Sequence, residues 1–185
     1  IKKILNMINI LDYNIENIKI FLSLVLATGG LGFIGSHTCL NLIENGYDVL
    51  VIDSLINSSK EVLENIKYLV RKDKKFSGKI YFYKGDISDQ NMLDNIFRQQ
   101  ILIDNPIEAV IHFAGLKSVE ESVKNPLIYW DSNLNATLKL LTIMDKYKCY
   151  KFVFSSSATV YKTNANKKLV ESSIKEPHNP YGNTK

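Results

Sequence analysis

Three glycines constrain this chain more than any other feature in it. Gly29, Gly32 and Gly35 are spaced G-x-x-G-x-x-G, directly after an apolar run from Ile20 to Ala27 and directly before a segment of helical periodicity. The run is short, rich in Val, Leu and Ile, and ended by glycine, which predicts a parallel strand buried on both faces. A glycine turn from such a strand into a helix gathers free backbone N–H groups at the positive end of the helix dipole, which suits an anion such as a phosphate. There Gly29 permits the tight turn, Gly32 lets a pyrophosphate approach the backbone, and Gly35 lets helix and strand pack closely.

A second apolar strand, Asp48 to Ile52, ends in Asp53, eighteen residues after Gly35. A carboxylate at that strand tip is placed to bond both hydroxyls of an adenine ribose. It would repel a 2′-phosphate, so NAD is favoured over NADP. The other reading of the same residues is a plain βαβ unit whose turn carries an Asp.

Downstream, strand and helix patterns alternate. Helical spacing over Phe33–Asn45 puts Phe33, Ile34, Cys39, Leu40, Leu42 and Ile43 near one face and stops at Gly46. Ser58 or Ser59 caps a helix to about Arg71, and Ile80–Tyr83 is a third strand leading into Gly85-Asp86-Ile87. Ser88 or Asp89 caps the next helix, which Pro106 ends. Ala109–Phe113 is a fourth buried strand. Pro126 opens a long helix carrying Leu127, Leu134, Leu138, Leu141 and Met144, and Lys151–Phe154 is a fifth strand running into Ser155-Ser156-Ser157. The alternation predicts an α/β fold: a doubly wound, Rossmann-like parallel sheet in the order 3-2-1-4-5, with its ligand at the carboxyl ends of the strands. Residues 1–19, with Ile4, Ile8, Leu11, Ile15 and Ile18 near helical spacing, form an extension before residues 20–185, read either as a short amphipathic helix or as an ill-ordered lead.

Composition excludes more than it proposes. A net charge of +4 comes with lysines clustered at Lys67–Lys75 and Lys162–Lys168, interleaved with Asn and Asp; these read as solvated faces rather than a nucleic-acid surface. Cys39 and Cys149 form no C-x-x-C pair, so neither a disulfide framework nor a metal site is expected. No apolar run reaches the ~20 residues of a membrane span. The two glycosylation sequons, at Asn57 and Asn135, read as chance matches.

At the far end, Tyr181 and Lys185 stand at i and i+4 after Pro180, a residue suited to a first helical turn. An ammonium beside a phenol lowers its pKa from ~10 and turns it into a usable proton acceptor. Ser157 follows the fifth strand and can bond the same substrate oxygen.

With these residues in view, the chain resembles the UDP-glucose 4-epimerases of the extended short-chain dehydrogenase/reductase family from about Leu24 to Lys185. The matching stretches are Thr28–Thr38, Asp53–Ser58, Gly85–Ile87, Val110–Lys117, Phe154–Tyr161 and Pro180–Gly182. The resemblance implies NAD held by Gly29, Gly32, Phe33, Ile34, Gly35, Asp53, Asn57 and Ser58. Asp86 and Ile87 would lie near the adenine, and Phe113, Ala114, Gly115, Lys117 and Asn133 along the cofactor. Tyr181 and Lys185 would flank the nicotinamide ribose. It further implies catalysis by Ser157, Tyr181 and Lys185, a UDP-glucose/UDP-galactose substrate, and a cytoplasmic enzyme of galactose metabolism, with a homodimer left open. Where the family usually has Gly, this chain has Lys162 and Glu120, and Ser54 replaces an Asn. The family continues past the Lys into a substrate domain. Residues 20–185 are therefore expected to be an NAD-binding domain incomplete at its C-terminus and inactive alone. Two alternatives stand beside this: an inactive NAD-binding module, and a nucleotide-sugar 4,6-dehydratase. The dehydratase reaction uses an Asp-Glu pair where this chain has Ala158 and Thr159.

Overall fold

A computed structural model describes residues 23–162 and 168–185. The expected N-terminal helix, the first residues of the first strand and most of the second lysine cluster lie outside the described residues. Five parallel strands form one sheet in the order β3-β2-β1-β4-β5, as the alternation required. They are β1 (Leu24–Thr28), β2 (Asp48–Asp53), β3 (Ile80–Lys84), β4 (Ile107–His112) and β5 (Lys151–Phe154).

Helices cover both faces of the sheet. On one side α1 (Phe33–Glu44) and α2 (Lys60–Lys72) pack against Val25, Ala27, Val49 and Val51; on the other, α3 (Gln90–Leu102) and α6 (Ala136–Lys146) pack against Leu24, Leu26, Leu50 and Ile52. Neighbours along a strand thus feed opposite cores, as the two-residue period of a strand demands. Every residue of β1 and β2 is buried, which explains why both read as unbroken apolar runs. β3 is an edge strand and leaves Tyr81 and Tyr83 exposed. The caps are local: the Ser59 hydroxyl accepts from Glu61 N, and Asp89 accepts from Met92 N.

Between β4 and β5 the chain departs from expectation. A short α4 (Val119–Lys124) precedes Pro126, and the single long helix expected from there is instead α5 (Pro126–Tyr129), a π-helical turn (Trp130–Asn135) and α6. Its buried face carries Tyr129, Asn133, Ala136, Leu140, Ile143 and Met144, whereas Leu127, Leu134, Leu138 and Leu141 are exposed. Of the expected stripe only Met144 is buried; Leu134, Leu138 and Leu141, in and after the π-helical turn, are exposed. On α1 the apolar face is likewise narrower than expected: Cys39, Leu42 and Ile43 are buried, but Phe33 and Ile34 project from the first turn. Ser54, Glu120 and Lys162 are not among the residues with positive φ, so the backbone at those positions does not depend on glycine.

Among the described residues, no helix is long and apolar enough to cross a membrane.

Candidate active site

The carboxyl ends of β1, β2 and β4 open into a cleft of about 360 Å³. Its floor is the glycine turn. Gly29 has φ +65°, in the left-handed region, and a Cβ there would stand 2.7 Å from Ala114 N. Gly35 is as tightly enclosed, since a Cβ would stand 2.5 Å from the Gly29 carbonyl oxygen. Thr28 carbonyl oxygen accepts both Phe113 N (2.9 Å) and Ala114 N (3.0 Å), which docks the end of β4 onto the turn. Glycine is thus needed here for space as well as conformation.

Asp53 is buried at the tip of β2. Oδ2 accepts from Leu31 N at 3.0 Å; Oδ1 accepts from Leu55 N at 2.9 Å and from Ser58 Oγ at 2.7 Å. A carboxylate offers about four acceptor positions, so the chain itself occupies all but one, on Oδ2. Leu55 sits at φ 63°, an uncommon conformation for its side chain, with its N–H on that carboxylate. Beneath the turn, Cys39 Sγ donates to the Gly30 carbonyl; burial first, and the Asp53 charge second, push its thiol up to about 12.

Of the residues expected to meet the cofactor, Gly29, Gly32, Phe33, Ile34, Gly35, Asp53, Asn57, Asp86, Ile87, Phe113, Ala114, Gly115 and Lys117 line this cleft. Ser58 stands behind Asp53 instead. Ser132 and Ser155 also line it and were not foreseen.

Tyr181 and Lys185 belong to the last segment, where α7 (Pro180–Asn183) is capped by Asn179 accepting from Gly182 N at 2.8 Å. Lys185 Nζ donates to the Ser155 carbonyl at 3.2 Å and lies 4.9 Å from the centre of the Phe154 ring. Burial lowers its pKa below that of an ordinary ammonium. A Cβ on Gly115 would stand 3.3 Å from this Nζ and 2.9 Å from Asn133 Oδ1, so the cofactor loop and the Tyr181 helix meet at Gly115. The Tyr181 ring packs edge-on against Tyr129, centroids 6.3 Å apart. Ser157 Oγ accepts from Thr159 N (3.2 Å) and Thr159 Oγ1 (2.9 Å). Asn133 is buried in the π-helical turn; its Oδ1 accepts from Leu116 N at 2.7 Å, and its Nδ2 donates to Leu116 O and to Thr184 Oγ1, both at 3.0 Å.

A doubly wound sheet, a glycine turn at the carboxyl ends of its strands, and a Lys185 ammonium held on Ser155, which lines the same cleft, define a nucleotide-binding α/β domain. Comparison with known proteins is specific: the chain belongs to the GDP-mannose 4,6 dehydratase family, whose model matches residues 26–185. It is 46% identical over 161 residues to the UDP-glucose 4-epimerase of Bacillus subtilis, covering 87% of this chain and 44% of that protein. It is equally identical, over 165 residues, to a UDP-glucose 4-epimerase of Schizosaccharomyces pombe, covering 43% of it. The UDP-glucose 4-epimerase of Bifidobacterium longum, solved with NAD+ and UDP, superposes with a TM-score of 0.76 at 40% identity, covering 88% of this chain and 45% of that one. A Stenotrophomonas maltophila epimerase with bound NAD and formylated UDP-arabinopyranose gives the same TM-score at 38% identity. The chain spans less than half the length of these relatives.

Proposed function

We propose that this chain supplies the NAD-binding part of a UDP-glucose 4-epimerase. The observation that carries the reading is the meeting at Gly115, where the cofactor loop, Asn133 and the Lys185 ammonium converge within van der Waals reach. The residues suit the cofactor: Gly29 and Gly35 let the turn close tightly on β4 and on itself, Gly32 lines the cleft where a pyrophosphate would approach, and Asp53 keeps an open acceptor position on Oδ2 for a ribose hydroxyl. Asn57 lies beside it, and Ser58 can turn its hydroxyl from Oδ1 to the second ribose oxygen. Bound there, NAD supplies a reversible two-electron acceptor for the sugar's C4.

The chain's own groups do the proton chemistry. Tyr181, as phenolate, takes the proton from the sugar 4-hydroxyl and returns it to the epimerised alkoxide. Lys185 is the cation of this pair, its Nζ held on the Ser155 carbonyl at 3.2 Å. Ser157 bonds the same sugar oxygen after giving up its contact with Thr159. The 4-keto sugar turns over between the two halves of the reaction, so oxidation and reduction occur on opposite faces of one carbon. Although the family model is described by a dehydratase, elimination needs an acid/base pair that Ala158 and Thr159 do not provide. The curated relatives described above are named as epimerases.

The exposure of Leu127, Leu134, Leu138 and Leu141 supports a second copy of the chain as partner, since exposed apolar surface of this kind marks contact sites. A cytoplasmic setting fits two buried thiols that remain free.

The test uses the active enzyme that carries this chain: supply NAD and UDP-galactose, and follow UDP-glucose. Conversion that Tyr181→Phe abolishes without loss of NAD binding supports the reading. Release of a 4-keto-6-deoxy sugar instead would replace it with the dehydratase.

A further inference from the structure

β4 is buried along nearly its whole length, yet its last residue is His112, with no exposed surface. Both ring nitrogens have partners. Nδ1 is 2.5 Å from Thr28 Oγ1 at the end of β1, and Nε2 is 2.8 Å from Thr137 Oγ1 on α6. The ring lies against Phe152 and Phe154 of β5, centroids 6.0 and 5.7 Å away.

The direction of these bonds follows from counting protons. The Thr137 hydroxyl donates to the Asn133 carbonyl at 2.5 Å, so its single proton is used. It must therefore accept from Nε2, which carries the ring proton. In a neutral imidazole the other nitrogen is then an acceptor, and Thr28 donates to Nδ1. The neutral state is the one the surroundings allow. Thr28, Thr137, Phe152 and Phe154 are uncharged, and among the described residues the one charged group facing the ring is the Lys185 ammonium. Burial first, and that ammonium second, bring the imidazole down to about 3.

The bonds therefore run one way, from Thr28 through His112 and Thr137 to the Asn133 carbonyl. Asn133 continues the line through its side chain. Its amide grips Leu116 on one side and Thr184 on the other, and the Thr184 hydroxyl donates to the Tyr181 carbonyl at 2.8 Å. Asn133 sits in the π-helical turn, a local unwinding that needs support from outside the helix ladder.

We propose that His112 is a positioning residue for the Tyr181–Lys185 segment. As the neutral Nε2–H tautomer it holds Thr137 as an acceptor, and Thr137 in turn steadies the π-helical turn that aims Asn133 at Leu116 and Thr184. Only the catalytic consequence rests on the roles proposed for Tyr181 and Lys185; the relay itself stands on the bonds above.

The test is nuclear magnetic resonance on the isotopically labelled protein. Long-range proton–nitrogen correlations should show His112 protonated at Nε2 and bare at Nδ1, unchanged between about pH 5 and pH 8, on either side of an ordinary imidazole pKa. Protonation at Nδ1, or titration within that interval, overturns the proposal. In Thr137→Val the Leu116 amide, which reports the Asn133 side chain, should exchange roughly tenfold faster, the worth of one hydrogen bond. Val25 in the core of β1 should exchange at its original rate, and Thr137→Ser should restore Leu116. Equal acceleration at Leu116 and Val25, or none at Leu116, means the relay does not position Asn133. Should the valine variant not fold, the tautomer of the unaltered protein decides. Neither readout involves NAD or sugar turnover, so failure here is separable from failure of the epimerase reading.

Discussion

The nucleotide turn and the Tyr181 segment meet at Gly115 but hold their shapes by different means. Around Gly29 the working parts are backbone. A left-handed glycine, a carbonyl shared by two amides and a carboxylate holding three nearby donors make a cradle with little freedom. Around Tyr181 the working parts are side chains. Lys185, Asn133, Thr137 and His112 come from four different elements and are held by single hydrogen bonds. Substitution should thus damage the first region by disturbing the fold and the second by disturbing chemistry with the fold left in place.

The largest effect tests the second half of that contrast. In the active enzyme, Tyr181→Phe should lower kcat by about 10²–10⁴, the usual worth of a positioned acid or base. The unfolding free energy should stay within about 0.5 kcal/mol of the parent. Steady-state kinetics and denaturant unfolding measured on one preparation check both; near-normal turnover would remove Tyr181 from the mechanism.

Gly29→Ala tests the first half. A left-handed alanine, and a Cβ forced against Ala114, should cost about 2–4 kcal/mol of stability together. NAD affinity should fall in parallel. Intact stability would show that the cradle is more pliable than its geometry implies.

Asp53→Ala should do both kinds of damage. It leaves Leu31 N and Leu55 N without their buried acceptor and removes the ribose contact, so NAD binding should weaken by roughly 1.5–3 kcal/mol. Preference over NADP should narrow with it. Titration with both cofactors, alongside a melting curve, separates the two losses.

The smallest expected effect is set by pH. His112 is neutral in the fold, with its pKa near 3, and ordinary when unfolded. Between those values the unfolded chain binds the extra proton. The His112 contribution is therefore complete above about pH 6.5 and is lost as pH falls toward 3. From pH 7 to pH 5 this amounts to about 2 kcal/mol. It reads as the difference between the parent and His112→Gln in denaturant midpoints; parallel pH curves for the two would contradict a neutral buried ring.

Much of this was legible beforehand for a physical reason. The caps at Ser59 and Asp89, the Gly29–Asp53 cradle and the Pro180 turn depend on residues near one another in the chain, and the sheet order followed from the alternation of strands and helices with right-handed crossovers. Of the stripe chosen for the helix after Pro126 only Met144 is buried, and nothing in the composition marked the π-helical turn within it. His112 carried a signal, a polar ring closing an apolar strand, but its partners lie 84 and 25 residues away.

By itself, then, the sequence determined an alternating α/β chain with a tight glycine turn after its first strand, because strand and helix periods and glycine's freedom are properties of short stretches. Tertiary structure alone decided that Asp53 is nearly saturated by its own chain. It also decided that Lys185 is drawn beneath Gly115, and that a single line of hydrogen bonds joins Thr28 to Tyr181. Those facts depend on which strands become neighbours, and hydrogen-bond partners are chosen by distance in space, on which order along the chain has no hold.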